Sequence, residues 1–135
     1  MCDLLAELFS LESDFAPDRE KQARGLSALI AAPSETTLML VAIVEGLVVG
    51  MATIQTLIST AEGGCVGLVE DVVVGKEYRS RGIGTTLLDE IVRWGMERKL
   101  FRLQLVADKD NQPALKFYLS QKWAVTNLMC MRKIV

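Results

Sequence analysis

The chain of 135 residues is half hydrophobic and 24% charged, a balance that excludes a disordered polymer and suits one folded domain over 1–135. A formal net charge of −2 gives no basic excess for gripping nucleic acid, and no apolar run reaches the length of a membrane span. Histidine is absent and Cys2, Cys65 and Cys130 stand apart without a CxxC pair, which excludes Ser-His, Cys-His and zinc chemistry, so no metal is expected.

In chain order, Leu4, Leu5, Leu8 and Leu11 recur at helical spacing and predict a short amphipathic helix over 2–11. Asp14 as cap and Pro17 in the first turn predict a second helix over 17–31, with Leu26, Leu29 and Ile30 inward. After the loop APSETT, two β-type runs, 38–44 and 47–59, flank the tight pair Glu45-Gly46 and read as a hairpin. A third strand, CVGLVEDVVV, follows the turn AEGG. A helix from 82 to about 98 carries an apolar stripe of Ile83, Leu87, Leu88, Ile91 and Val92. Then come a strand in FRLQLVA, a helix opened by DKDNQP, and a closing strand in WAVTNLMCMRKI. The order α-α-β-β-β-α-β-α-β implies an antiparallel meander followed by a parallel crossover around the 82–98 helix. Isolated thiols, expected to be buried and reduced, and an acidic start point to the cytoplasm.

The chemistry concentrates at the junction of the third strand and the 82–98 helix, EDVVVGKEYRSRGIGTTLL. Helix N-termini present unpaired N–H groups and the positive end of the dipole, a setting for an anion. Gly82 and Gly84 let an anion approach the backbone, while Arg79 and Arg81 offer bidentate charge. The pattern is neither GxxxxGK[ST] nor GxGxxG. Glycines at a tight turn with solvated arginines would be the plain structural alternative.

Arg79-Ser80-Arg81-Gly82-Ile83-Gly84 after an apolar strand resembles the acyl-CoA motif of the GNAT N-acetyltransferase family, and the element order is similar along nearly the whole chain. The resemblance implies an α+β, three-layer fold: a mixed, mostly antiparallel central sheet with helices on both faces, of the acyl-CoA N-acyltransferase type. The strand that usually opens that fold is missing here, which leaves the strand near 38–44 as an open edge that a homodimer could mask. By resemblance, Val72, Val73 and Val74 meet the pantetheine arm of acetyl-CoA, and Ser80, Arg81, Gly82, Ile83, Gly84 and Thr85 meet the pyrophosphate, with Arg79 opening the same cofactor-binding motif. Asn111 and Tyr118, seven residues apart on the next helix, match the family's cofactor contact and thiolate acid. A plain cap and a core aromatic are their ordinary readings.

Glu70 and Asp71 are neighbours on a strand, so they point to opposite faces, Glu70 with Leu68 and Val72. A carboxylate on a helix-covered sheet is costly without a partner. VEDVVV is similar to a strand of the polyamine acetyltransferases whose Glu is the proposed base, which assigns the base to Glu70, with Asp71, an ion pair or solvent as alternatives. Glu12, Asp14 and Asp71 are candidates for holding the amine acceptor. The implied activity is direct acetyl transfer from acetyl-CoA to a primary amine, a small cationic metabolite favoured. A non-catalytic acyl-CoA-binding or partner-binding module is the rival reading.

Overall fold

A computed structural model describes residues 1–135, and the chain divides into two compact units, Met1–Leu105 and Val106–Val135. The first unit begins with α1 (Cys2–Phe9) and α2 (Arg19–Ala31), and continues with β1 (Thr37–Val44), β2 (Leu47–Ser59) and β3 (Gly64–Val74). A single 3-10 turn, Lys76–Tyr78, leads into α3 (Ile83–Glu97), and β4 (Leu103–Leu105) ends the unit.

The four strands lie in the order β1-β2-β3-β4. The first three are antiparallel, while β3 and β4 are parallel, as a helical crossover requires. Glu45 and Gly46 turn the first hairpin with φ of 48° and 78°, the paired positive values that match strand twist. In this order β1 stands at one edge of the sheet and β4 at the other.

Alternation along β2 decides what each face meets. Met51 packs with Val73 against Leu4 and Leu5 of α1 and Leu26 of α2. On the opposite face, a Cβ at Gly50 would stand 3.3 Å from Ile83 Cγ2 and 3.4 Å from Leu87 Cδ1, both of α3. Helices therefore cover both faces, and Met51, Ala52, Thr53 and Ile54 of the strand between them are fully buried. On α3 the buried stripe is Leu87, Leu88, Ile91, Trp94 and Gly95, whereas Val92 lies outside it with 39% of its surface exposed.

Several boundaries differ from the sequence reading. Helix α1 stops at Phe9 and leaves Leu11 exposed. Helix α2 starts at Arg19, because the Asp18 carboxylate accepts from Lys21 N at 3.1 Å and supplies the cap expected of Asp14. Gln22, Leu26 and Leu29 form its inner stripe, and Ile30 faces out. Cys65 and Cys130 are exposed rather than buried. Strand β4 spans three residues, because only Gly67, Leu68 and Val69 offer it a ladder.

In the second unit, α4 (Gln112–Ser120) is capped by Asn111 and has proline in its first turn. The closing strand does not form: residues 123–135 have no ladder partner, and Leu128, Met129, Met131 and Ile134 are exposed. A strand exists only by pairing, so apolar, β-prone composition does not suffice.

Candidate active site

The end of β3 builds the site. Its last ladder pair is Val74 with Gly50, and the chain then bonds Gly75 N to Val49 O at 2.8 Å. The 3-10 turn closes through Tyr78 N to Gly75 O, 2.8 Å, and turns the backbone toward α3. Ser80 and Gly82 both adopt left-handed backbone, φ 59° and 80°, on either side of Arg81. Such alternation aims successive N–H groups into one concavity, an anion nest.

The first backbone bond into α3 is Thr86 N to Gly82 O, 3.0 Å, and the amides of residues 80 to 85 are taken by no backbone carbonyl. The first turn of α3 holds no acidic side chain, so the positive dipole end is left for a ligand. A Cβ at Gly82 would meet nothing within 4 Å, so glycine is required there by the positive φ and not by crowding. These features fit a pyrophosphate group. The residues that would hold it are those the sequence singles out, Ser80 to Thr85.

The two arginines are placed differently from expectation. Arg79 Nε donates to Val74 O at 2.9 Å, and its Nη2 donates to Glu7 Oε1 of α1 at 2.5 Å. Arg81 Nη2 donates to Glu77 O at 2.8 Å, with the guanidinium 5.2 Å from the centre of the Tyr78 ring. Both side chains brace the loop, and the nest itself is made of main chain.

Just before this loop, β3 carries a bulge. The register passes from Thr53–Glu70 to Met51–Val73, so Asp71 and Val72 together oppose Ala52. A bulge takes one residue out of the ladder and reverses parity beyond it. Glu70 therefore shares its face with Val73, not with Val72 as plain alternation predicts, and this is the face that α1 and α2 cover. Asp71 sits in the bulge with φ 54°, a left-handed conformation aspartate tolerates better than most residues.

The two carboxylates are unequal. Glu70 is exposed, whereas Asp71 is half-buried. Burial pushes the Asp71 carboxyl above its ordinary value, the neighbouring charge of Glu70 adds to the rise, and the Thr53 hydroxyl opposes it. Thr53 Oγ1, fully buried beneath the bulge, lies 3.0 Å from Glu70 O and 3.4 Å from Asp71 Oδ2. Glu12 and Asp14 lie in the connection between α1 and α2, Glu12 half-buried and Asp14 exposed.

In the second unit, Asn111 Oδ1 accepts from Ala114 N at 3.1 Å, the capping role that its place before Pro113 suggests. The Tyr118 ring packs against Phe117, 5.4 Å between centroids, and edge-on to Trp123 at 6.2 Å. Two contributors escape sequence reading altogether: Glu7, which meets Arg79 across 72 positions, and Thr53, hidden within an apolar strand.

An amide nest at a strand-to-helix junction, beside a bulged strand with two carboxylates, is the arrangement that the sequence resemblance to acyl-CoA-dependent transferases leads one to expect. The family described as acetyltransferase (GNAT) family matches residues 2–122. The chain belongs to this family, and with it to the acetyl-CoA-dependent N-acetyltransferases. Streptothricin acetyltransferase A of Bacillus subtilis (strain 168) is 34% identical over 58 residues, covering 43% of this chain and 34% of that protein. The structure of a putative acetyltransferase from Agrobacterium tumefaciens str. C58 superposes with a TM-score of 0.81 at 19% identity, over 98% of this chain and 90% of the other. An aminoglycoside acetyltransferase from an uncultured soil metagenomic sample gives a TM-score of 0.79 at 22% identity, over 98% and 84% of the two chains.

Proposed function

We propose that this chain works as one domain, moving the acetyl group of acetyl-CoA onto a primary amine by direct attack within a ternary complex. A small cationic metabolite is the favoured acceptor. The observation that carries the cofactor half is the run of backbone amides from Ser80 to Thr85 at the head of α3. Acetyl-CoA supplies the activated thioester, and the chain must supply binding, a base, an oxyanion donor and an acid.

Glu70 is the base in this reading. Its exposed carboxylate is reachable by an ammonium group, directly or through water. The amide that the bulge at Asp71–Val72 releases from the ladder serves the carbonyl oxygen as charge develops on it. Val72, Val73 and Val74 carry the pantetheine arm, Asn111 adds a contact, and Tyr118 protonates the departing thiolate; these assignments follow the family pattern. Glu12, Asp14 and Asp71 favour a cationic acceptor by charge. The names of a streptothricin acetyltransferase and an aminoglycoside acetyltransferase among the similar proteins support trying such amines as acceptors.

One observation favours a second reading of the base. Asp71 is the carboxylate whose pKa is raised, and a base poised nearer the working pH is the better proton acceptor. We place the enzyme in the cytoplasm, where its three unpaired thiols stay reduced. We further propose a homodimer paired through β1, whose exposed Val41 and Ile43 sit on an uncharged edge.

Calorimetric titration with acetyl-CoA and CoA tests the cradle, beside a variant carrying Arg81→Ala and Gly82→Asp. Binding by the natural chain and none by the variant is expected; equal binding by both would remove the nest from the mechanism. Thiol release in the presence of aminoglycosides, streptothricin and polyamines then selects the acceptor. With that acceptor, Glu70→Gln and Asp71→Asn should separate the two bases: the true one loses the limb of the rate profile that rises with pH. Tyr118→Phe should lower turnover while leaving CoA binding intact.

A further inference from the structure

We infer that Glu7 is a positioning residue for the cofactor loop, acting through Arg79, so that helix α1 sets the turn on which the anion nest rests. This rests on the acetyl-CoA reading above.

Arg79 stands directly before Ser80, the first left-handed residue of the nest. Its Nε bonds Val74 O, the carbonyl at which β3 leaves the sheet, at 2.9 Å. The same guanidinium bonds Glu7 Oε1, and the two side chains keep only 40% and 33% of their surface in solvent. A guanidinium is a rigid planar fork, so its two bonds are not independent. Where α1 holds Glu7 decides how the fork is oriented, and the fork decides how far the Arg79 backbone stands from the end of β3.

The position of Glu7 is itself firmly set. Leu4 and Leu5, one turn earlier on α1, are buried against Met51 and Val73 of the sheet. The ion pair therefore transmits the seating of α1 on the sheet to the loop 75–79 and so to the amides beyond it. Stability alone does not account for the pair, since ion pairs at this exposure contribute little to folding. Its effect lies in register: a loop free to rotate about Gly75 would spread the amides of residues 80 to 85 over several directions. Arg79 is then a brace for the anion site and not a phosphate ligand, and Glu7 is its anchor.

The test is CoA titration of the full chain for the natural sequence, Glu7→Ala, Glu7→Gln, Arg79→Lys and the double variant Glu7→Ala with Arg79→Lys, with thermal melting in parallel. Glu7→Ala and Arg79→Lys should each weaken CoA binding roughly tenfold, the loss of one charge-assisted bond. The double variant should bind no more weakly than the worse single one. Glu7→Gln, which keeps an acceptor oxygen, should recover part of the affinity, and all variants should melt close to the natural chain. Unchanged affinity in Glu7→Ala would overturn the inference. So would losses that multiply in the double variant, since Glu7 and Arg79 would then act separately. If the natural chain bound no CoA, the acetyl-CoA reading would fall first and this inference with it.

Discussion

At the scale of single residues, β3 carries two adjacent acids with opposite fates. Glu70 stays in the ladder and in solvent, while Asp71 is turned into the bulge and half-buried beside Thr53. The pKa of Asp71 rises from 3.8 mainly through burial, so in folding it keeps a proton that the unfolded chain has already lost. In that window the folded state binds more protons, and stability falls as pH rises from the ordinary aspartate value through the raised one. Above the window the buried charge is a standing cost. Urea midpoints measured across this range should fall for the natural chain and stay flatter for Asp71→Asn, which should be the more stable protein near neutral pH. Parallel curves for the two would mean that the bulge leaves Asp71 fully solvated. The alternation rule predicts the faces correctly up to Glu70 and fails after it, because nothing local in VEDVVV marks where the ladder slips.

Among the elements, α3 joins the sheet to the site. Its buried stripe lies on β2 and β3, and Arg98 just past its end bonds the carbonyls of Ser34 and Glu35 at 3.0 and 3.3 Å while stacking over Trp94. Its N-terminus carries the amides of the nest, so the core stripe and the nest belong to one helix. Ile91 is fully buried. Ile91→Ala should cost about 3 kcal/mol of unfolding free energy, the usual effect of a cavity in a tight core. Urea unfolding checks this, and a loss below about 1 kcal/mol would show that the helix closes over the gap. This helix is legible in the sequence, where its stripe, glycines and length agree with one another. Helix α2 is legible in existence but not in its start, because Asp14 and Asp18 are both acceptable caps by composition. The folded chain uses Asp18, whose carboxylate accepts from Lys21 N in the first turn.

At the scale of the molecule, the open features are the edge strand β1 and the segment 123–135. Hydrogen exchange should be slowest in β2 and α3, which are enclosed by neighbours, and fast through 123–135, whose amides lie outside any ladder. Slow exchange in 123–135 would mean that in solution it finds a strand partner. Val41→Lys tests the proposed dimer: sedimentation should move from two copies to one, with thermal stability of the monomer little changed. A natural chain already sedimenting as one copy would end the dimer reading.

Local sequence suffices for most element types and their order, for the hairpin at Glu45-Gly46 and for the nest at Ser80–Thr85. Each of these is set by residues close together in the chain, through helical periodicity, turn conformation and the freedom of glycine. The bulge at Asp71–Val72, the brace from Glu7 to Arg79 and the absence of a closing strand in 123–135 emerge only in the folded chain. Strand register, long-range ion pairs and the availability of a ladder partner depend on what the rest of the chain brings alongside, and no short stretch of residues encodes its neighbours.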